Sequence, residues 1–223
     1  MITANVIHRI FRIRWGDFLG TAFTIDVDNK QYLVTAQHVV KGLTGKTQLG
    51  IFGNQDWKPL DVNLVGHCTS GIDISVLAPA QQLTPSDLPI VPSSEGLIYG
   101  QEVFFLGFPY NFLVDVIFTN EGYPLPFVKR ATVSCFDANV FLLDGHNNPG
   151  FSGGPVVFGA PGQIALKVAA VISGFKAVPE PVLNNGIPTT NLGYWHNTGI
   201  IVSYSIKYAL ELIQSNPIGI EIK

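Results

Sequence analysis

Charge is in short supply in this sequence of 223 residues: Asp, Glu, Lys and Arg together make up 13% of it, against 47% hydrophobic residues. A chain so composed buries a core and is not disordered. Its net charge is −3, and its cations are scattered apart from Arg9, Arg12 and Arg14, so no basic face suggests nucleic acid as a partner. Those three arginines alternate with Ile10, Phe11 and Ile13, and read as the solvated side of a first strand. Cysteine is nearly absent. Cys68 and Cys135 each lie in an apolar run, the setting of buried free thiols rather than of a bridge, and the two exclude a disulfide-framework domain. With neither a CxxC nor an HxxxH spacing, a zinc site around His67, Cys68 and Cys135 is not expected, nor any other metal or cofactor. No apolar run reaches the roughly 18 residues needed to span a bilayer; even the stretch from Phe112 to Phe118 is broken by Asp115. Met1 to Arg9 lacks a basic start followed by an apolar block, so a cytoplasmic location is expected.

Glycine and proline, 23 and 15 in number, punctuate short β-rich runs, and no strong helical period appears before Ser203. The fold class is therefore all-β with a terminal helix. Gly20 to Val27 and Gln31 to Thr35 read as a hairpin turning at Asp28-Asn29-Lys30. Further strands are expected over 101–107, 129–136, 138–143, 155–158, 167–175 and 198–203. The Pro-rich stretch from Pro79 to Gly100 reads as a linker. From Tyr204 to Ile213, Ile206, Leu210 and Ile213 share one face at helical spacing and are expected to pack on a barrel. Two long loops, Tyr110 to Phe127 and Lys176 to Asn197, carry aromatics that either grip a peptide or, on the simpler reading, pack on themselves.

Chemistry concentrates at Gly150-Phe151-Ser152-Gly153-Gly154-Pro155. A serine between glycines can present its hydroxyl at a tight turn while neighbouring backbone N–H groups converge beside it, which is how an oxyanion hole is built. Such a hydroxyl becomes a nucleophile only beside a histidine that a carboxylate orients. His38, at the end of the buried strand Gln31 to Thr35, is well placed as the base. Asp73, heading the apolar run Ile74 to Pro79, would be partly buried and in need of a donor. Taken alone it reads equally as a turn aspartate.

The blocks TAQHVV, GIDISVL and GFSGGPV, in the order His, Asp, Ser, resemble the three signature segments of the trypsin/chymotrypsin-type serine peptidases, nearest the bacterial HtrA-type domains. The resemblance covers about Gly20 to Ser203. It implies two six-stranded Greek-key β-barrels with a short C-terminal helix: an N-terminal barrel over 1–80 with His38 and Asp73, a linker over 81–100, and a C-terminal barrel with Ser152 over 101–223. It implies a serine endopeptidase acting on protein or peptide substrates through a Ser152 acyl-enzyme, with the Gly150 and Ser152 amides as the oxyanion hole. The primary pocket would have His146 at its base and Ser173, Gly174 and Phe175 along its wall. His146 could favour an acidic or polar side chain, Asp144 a basic one, and the choice stays open. After Gln214 there is no room for a PDZ domain. Two departures stand out. Phe151 occupies the place of the aspartate that trypsin-type zymogens pair with a newly cut N-terminus, so activation by that ion pair is not available. Pro149 removes one donor beside the hole and either stiffens or twists it. The rival readings are a protease-like binding module with a latent or inactive site, and a viral polyprotein-processing protease.

Overall fold

The computed structural model describes residues 2–112, 122–137, 139–159 and 166–223. After a one-turn helix α1 (Ala4–Ile7), six strands follow: β1 (Ile10–Trp15), β2 (Phe18–Val27), β3 (Lys30–Thr35), β4 (Lys46–Gly53), β5 (Asp56–His67) and β6 (Ser75–Pro79). They pair in the order β3-β2-β1-β4-β5-β6, and β6 pairs back onto β3 to close a barrel. A two-residue strand β7 (Val91–Pro92) precedes the second set: β8 (Glu102–Gly107), β9 (Phe127–Asp137), β10 (Val140–Asp144), β11 (Pro155–Gly159), β12 (Leu166–Asn184) and β13 (Ile187–Ser205). This set runs β11-β8-β9-β10-β13-β12 and closes through β11 and β12. In each barrel a fourth strand returns to lie beside the first of three consecutive ones, the Greek-key connection. The expected all-β architecture of two six-stranded barrels is what the chain forms.

The β2–β3 hairpin turns on Asp28 and Asn29, both at positive φ, as a two-residue hairpin turn requires. Strand β3 is buried on both faces, and its alternation sorts side chains between two cores. Leu33 points into the first barrel with Phe11, Ile13, Ala22 and Leu49. Tyr32 and Val34 point the other way, into a cluster shared between barrels with Leu106, Phe108, Val157 and Val171. Strand β11 does the same from its side: Val156 and Phe158 fill the second barrel and Val157 the interface. Residues at the ends of these strands are thus held by cores on both sides of the junction between the barrels.

The terminal helix α2 (Lys207–Ser215) buries Ile206, Ala209 and Ile213. Although drawn with the second barrel in the sequence division, it crosses back to pack on β5 and β6. Asn216 donates to the Val65 carbonyl at 2.9 Å. The short strand β14 (Ile220–Glu221) then pairs with β3. Among the described residues no helix is long and apolar enough to cross a membrane.

Two sequence expectations are corrected. Of the arginine trio only Arg14 is solvated: Arg9 is buried, pairs with Asp26 at 2.5 Å and donates to the Leu88 carbonyl. A buried guanidinium is tolerated because the carboxylate and carbonyl together satisfy it. Arg12 is also buried, its guanidinium 5.0 Å from the ring centres of both Phe52 and Trp57. The second correction concerns Lys176 to Asn197, which is no loop. β12 and β13 stay paired out to Asn184 and Ile187, turning on Asn185 and Gly186 at φ 50° and 80°. Of its aromatics, Tyr194 and His196 pack edge-on to each other with ring centres 6.3 Å apart, while Trp195 remains 74% exposed. Half of the other long segment, Tyr110 to Phe127, lies outside the described residues.

Candidate active site

His38 lies in a single 3-10 turn, Gln37–Val40, at the end of β3. Thr35, Ala36, Val39 and Val40 are buried around it and fix its backbone, while its side chain stays 47% exposed. Asp73 sits just ahead of β6 and reaches the same turn. One of its carboxylate oxygens accepts the His38 backbone N–H at 2.8 Å, and the other lies 2.6 Å from His38 Nδ1. The second oxygen also accepts the Ser173 hydroxyl at 2.6 Å. Burial opposes ionisation of Asp73, but these donors outweigh it and hold the carboxyl below its ordinary pKa. With the carboxylate on Nδ1, that nitrogen carries the proton of the neutral ring and Nε2 is left as the basic site. Gln37 braces the pair, donating, with its amide nitrogen turned toward them, to the Cys68 and Ile72 carbonyls at 3.2 Å each.

Ser152 follows a turn that only glycine can make. Gly150 has φ +104°, and a Cβ there would meet the Phe108 carbonyl; Gly153 has φ +84°, and a Cβ would meet the Thr21 carbonyl. The Gly153 amide donates to Ile172 at 2.7 Å and the Gly154 amide to Phe151 at 2.8 Å. The amides of Gly150 and Ser152, by contrast, have no acceptor among the described residues. The Pro149 carbonyl accepts the Tyr110 amide at 2.9 Å, so the Gly150 N–H of the same peptide unit points the opposite way. The Ser152 hydroxyl donates to the Ser173 carbonyl at 3.0 Å. Ser173 therefore links the two halves, its side chain on Asp73 and its carbonyl under Ser152.

Phe151 is wholly buried with Val103, Leu143 and Phe158, its ring edge-on to Phe105 at 4.9 Å. Where an acid would need a counter-charge, a buried aromatic ring anchors the turn in the second barrel.

Of the residues expected to form the site, His38, Asp73, Ser152 and Ser173 come together. Ser173 does so as a partner of Asp73, in addition to its position along the wall. Gly174 follows at a bulge in β12 with open space where a Cβ would be, and Phe175 is half-buried beside it. His146 is exposed, and its backbone carbonyl is taken by Lys129. His67 bonds Ser75 Oγ at 2.6 Å and the Leu43 carbonyl at 2.8 Å through its two ring nitrogens, and both cysteines are free thiols. Burial, helped by Glu211, raises the Cys68 thiol to about 11.

Thr21, from β2, escaped the sequence reading. Its amide donates to the Ser152 carbonyl at 2.9 Å, its hydroxyl to the Gly150 carbonyl at 2.8 Å, and its own carbonyl accepts the Thr35 hydroxyl at 2.8 Å. The hydroxyl also accepts the Phe108 amide at 3.3 Å. One buried residue of the first barrel thus holds the Gly150–Ser152 turn of the second. Thr21→Val, which keeps the shape but strands two buried backbone groups, is expected to lower unfolding free energy by about 1–3 kcal/mol, read as a shifted urea midpoint at unchanged slope.

Comparison with known proteins follows this geometry. A sequence family described as a trypsin-like peptidase domain matches residues 20–164. No curated protein matches the chain. Among solved structures, the Rv3671c protease of M. tuberculosis in its inactive form superposes with a TM-score of 0.60 at 18% identity, over 96% of this chain and 91% of that one. The HtrA-type protease AlgW, with a tripeptide, gives 0.59 at 20% identity over 96% and 60%. A serine endoprotease from Yersinia pestis gives 0.58 at 17% over 96% and 67%.

Proposed function

Since the chain belongs to the trypsin-like peptidase family, we propose that it cleaves protein or peptide substrates through an acyl-enzyme on Ser152, with His38 as general base and Asp73 orienting it. In this reading the Ser152 hydroxyl leaves the Ser173 carbonyl and turns to His38 Nε2. Its oxygen bonds to the substrate carbonyl carbon as its proton passes to Nε2. The oxyanion that forms is received by the two unpartnered amides of Gly150 and Ser152. Collapse breaks the C–N bond, the amine departs with the proton from Nε2, and water repeats the sequence to release the acid.

The observation that carries the reading is the double grip on Asp73, whose carboxylate takes both the ring and the backbone N–H of His38. A structural aspartate needs its donors; it does not need to align an exposed imidazole. The resting place of the Ser152 hydroxyl on Ser173 favours one alternative, a latent site, although catalytic hydrogen bonds are often incomplete before substrate binds. Both are tested by incubating the protein with a proteome-derived peptide library and with a fluorophosphonate. Cleaved peptides together with a single label mapped to Ser152 support the peptidase. A label elsewhere, or none, removes the assignment.

A further inference from the structure

Among the described residues, one cation beside the Ser152 turn has no anionic partner. Lys129 projects from β9, and its Nζ donates to the His146 carbonyl and to Asn148 Oδ1, the latter at 2.7 Å. It also stands 5.7 Å from the centre of the Phe151 ring. Among the described residues its contacts are these three, all uncharged. Burial lowers its pKa, the penalty of taking an ammonium partly out of water without a carboxylate. A surface strand has no need of such an arrangement, so what the ammonium holds in place is informative.

It holds the end of a chain of contacts that terminates at the oxyanion hole. By taking Asn148 Oδ1, Lys129 fixes which way that amide faces, and the amide nitrogen donates to the Tyr110 hydroxyl at 3.2 Å. Tyr110 is held at φ 48°, a conformation unfavourable for an aromatic residue and sustained only where neighbours impose it. Its backbone amide donates to the Pro149 carbonyl. That carbonyl and the Gly150 N–H belong to one planar trans peptide unit and point in opposite directions. Fixing the carbonyl on Tyr110 therefore aims the N–H away from it. The Phe151 amide meanwhile bonds the Asn148 carbonyl at 3.4 Å, tying the start of the turn to its end.

We propose that Lys129 is a positioning residue that sets the Gly150 amide of the oxyanion hole through Asn148 and Tyr110. The inference rests on the proposed hydrolysis, and its test separates the two.

Lys129→Met and Lys129→Arg are compared with the unaltered chain in steady-state hydrolysis of a cleaved peptide, in fluorophosphonate labelling rate and in affinity for a peptide boronate, with thermal melts to confirm folding. Deleting an oxyanion donor outright costs about 10²–10³ in kcat, so loosening one through Lys129→Met is expected to lower kcat about 10–100-fold with KM changed less than about threefold. Labelling rate and boronate affinity fall by similar factors. Arginine, which can present two N–H groups to the same two acceptors, restores kcat to within about tenfold. A folded Lys129→Met variant that keeps its kcat within about threefold, or that loses only substrates with an acidic side chain at the cleaved bond, overturns the positioning role while the peptidase stands. If the unaltered chain neither cleaves peptides nor takes the label, the peptidase reading falls and the role of Lys129 falls with it.

Discussion

Ser152→Ala is expected to lower kcat by about 10⁶-fold, leaving turnover only about 10³–10⁴ above the uncatalysed rate. The residue removed is the atom that bonds to carbon, so no neighbour can substitute; water must attack in its place. What remains is substrate binding and the Gly150 and Ser152 amides, which the substitution leaves intact because the turn is fixed by its glycines, by Phe151 and by Thr21 rather than by the serine hydroxyl. His38→Ala is expected to match this loss, and the double variant to be no worse, since base and nucleophile act as one unit. Hydrolysis of a fluorogenic peptide, taken from the library cleavages and followed at saturating substrate, reads the effect. Two losses that multiplied would mean that Ser152 and His38 act independently and that the relay is misassigned.

The three residues of the proposed triad could be picked out of the sequence because they lie in short blocks whose order carries topological information. The two barrels came with the family resemblance: the apolar runs in Gln31 to Thr35 and in Pro155 to Phe158 mark strands buried on both faces but do not say how the sheets close. The β12–β13 arm was harder. Asn185-Gly186 is a strong hairpin signal, yet Pro179, Pro181 and Pro188 argued for a loop, and the prolines are accommodated because this part of the hairpin projects beyond the barrel. Arg9 misled because alternation alone does not reveal that Asp26 and a linker carbonyl wait at the inner end of its side chain. Thr21 and Lys129 left no local signal at all. Each reaches the Ser152 turn from another strand: Thr21, 129 residues before its partner Gly150, is brought there only by the closing of the two barrels against each other, and Lys129 reaches it from β9 within the same barrel.

Asp73→Asn separates orientation from attack. Three donors converge on the carboxylate: His38 Nδ1–H, the His38 amide and the Ser173 hydroxyl. Asparagine has one oxygen and one NH2 in their place. If its oxygen stays on the His38 backbone amide, the NH2 faces Nδ1 and forces the ring into the tautomer with its proton on Nε2, where it cannot accept the proton of Ser152. The expected loss in kcat is about 10⁴-fold, smaller than that of Ser152→Ala because the nucleophile and hole survive. The same substitution has a pH signature. Asp73 is depressed in the folded chain, so its ionised contacts stabilise the fold fully above the unfolded carboxylate range and lose that contribution as pH falls through the folded value. The stability difference between the unaltered chain and Asp73→Asn is therefore expected to be flat above about pH 5, since an unfolded aspartate titrates near 3.9, and to shrink in stronger acid. Urea unfolding at a series of pH values checks it; a difference that grew as pH fell would mean that burial, and not the three donors, governs Asp73.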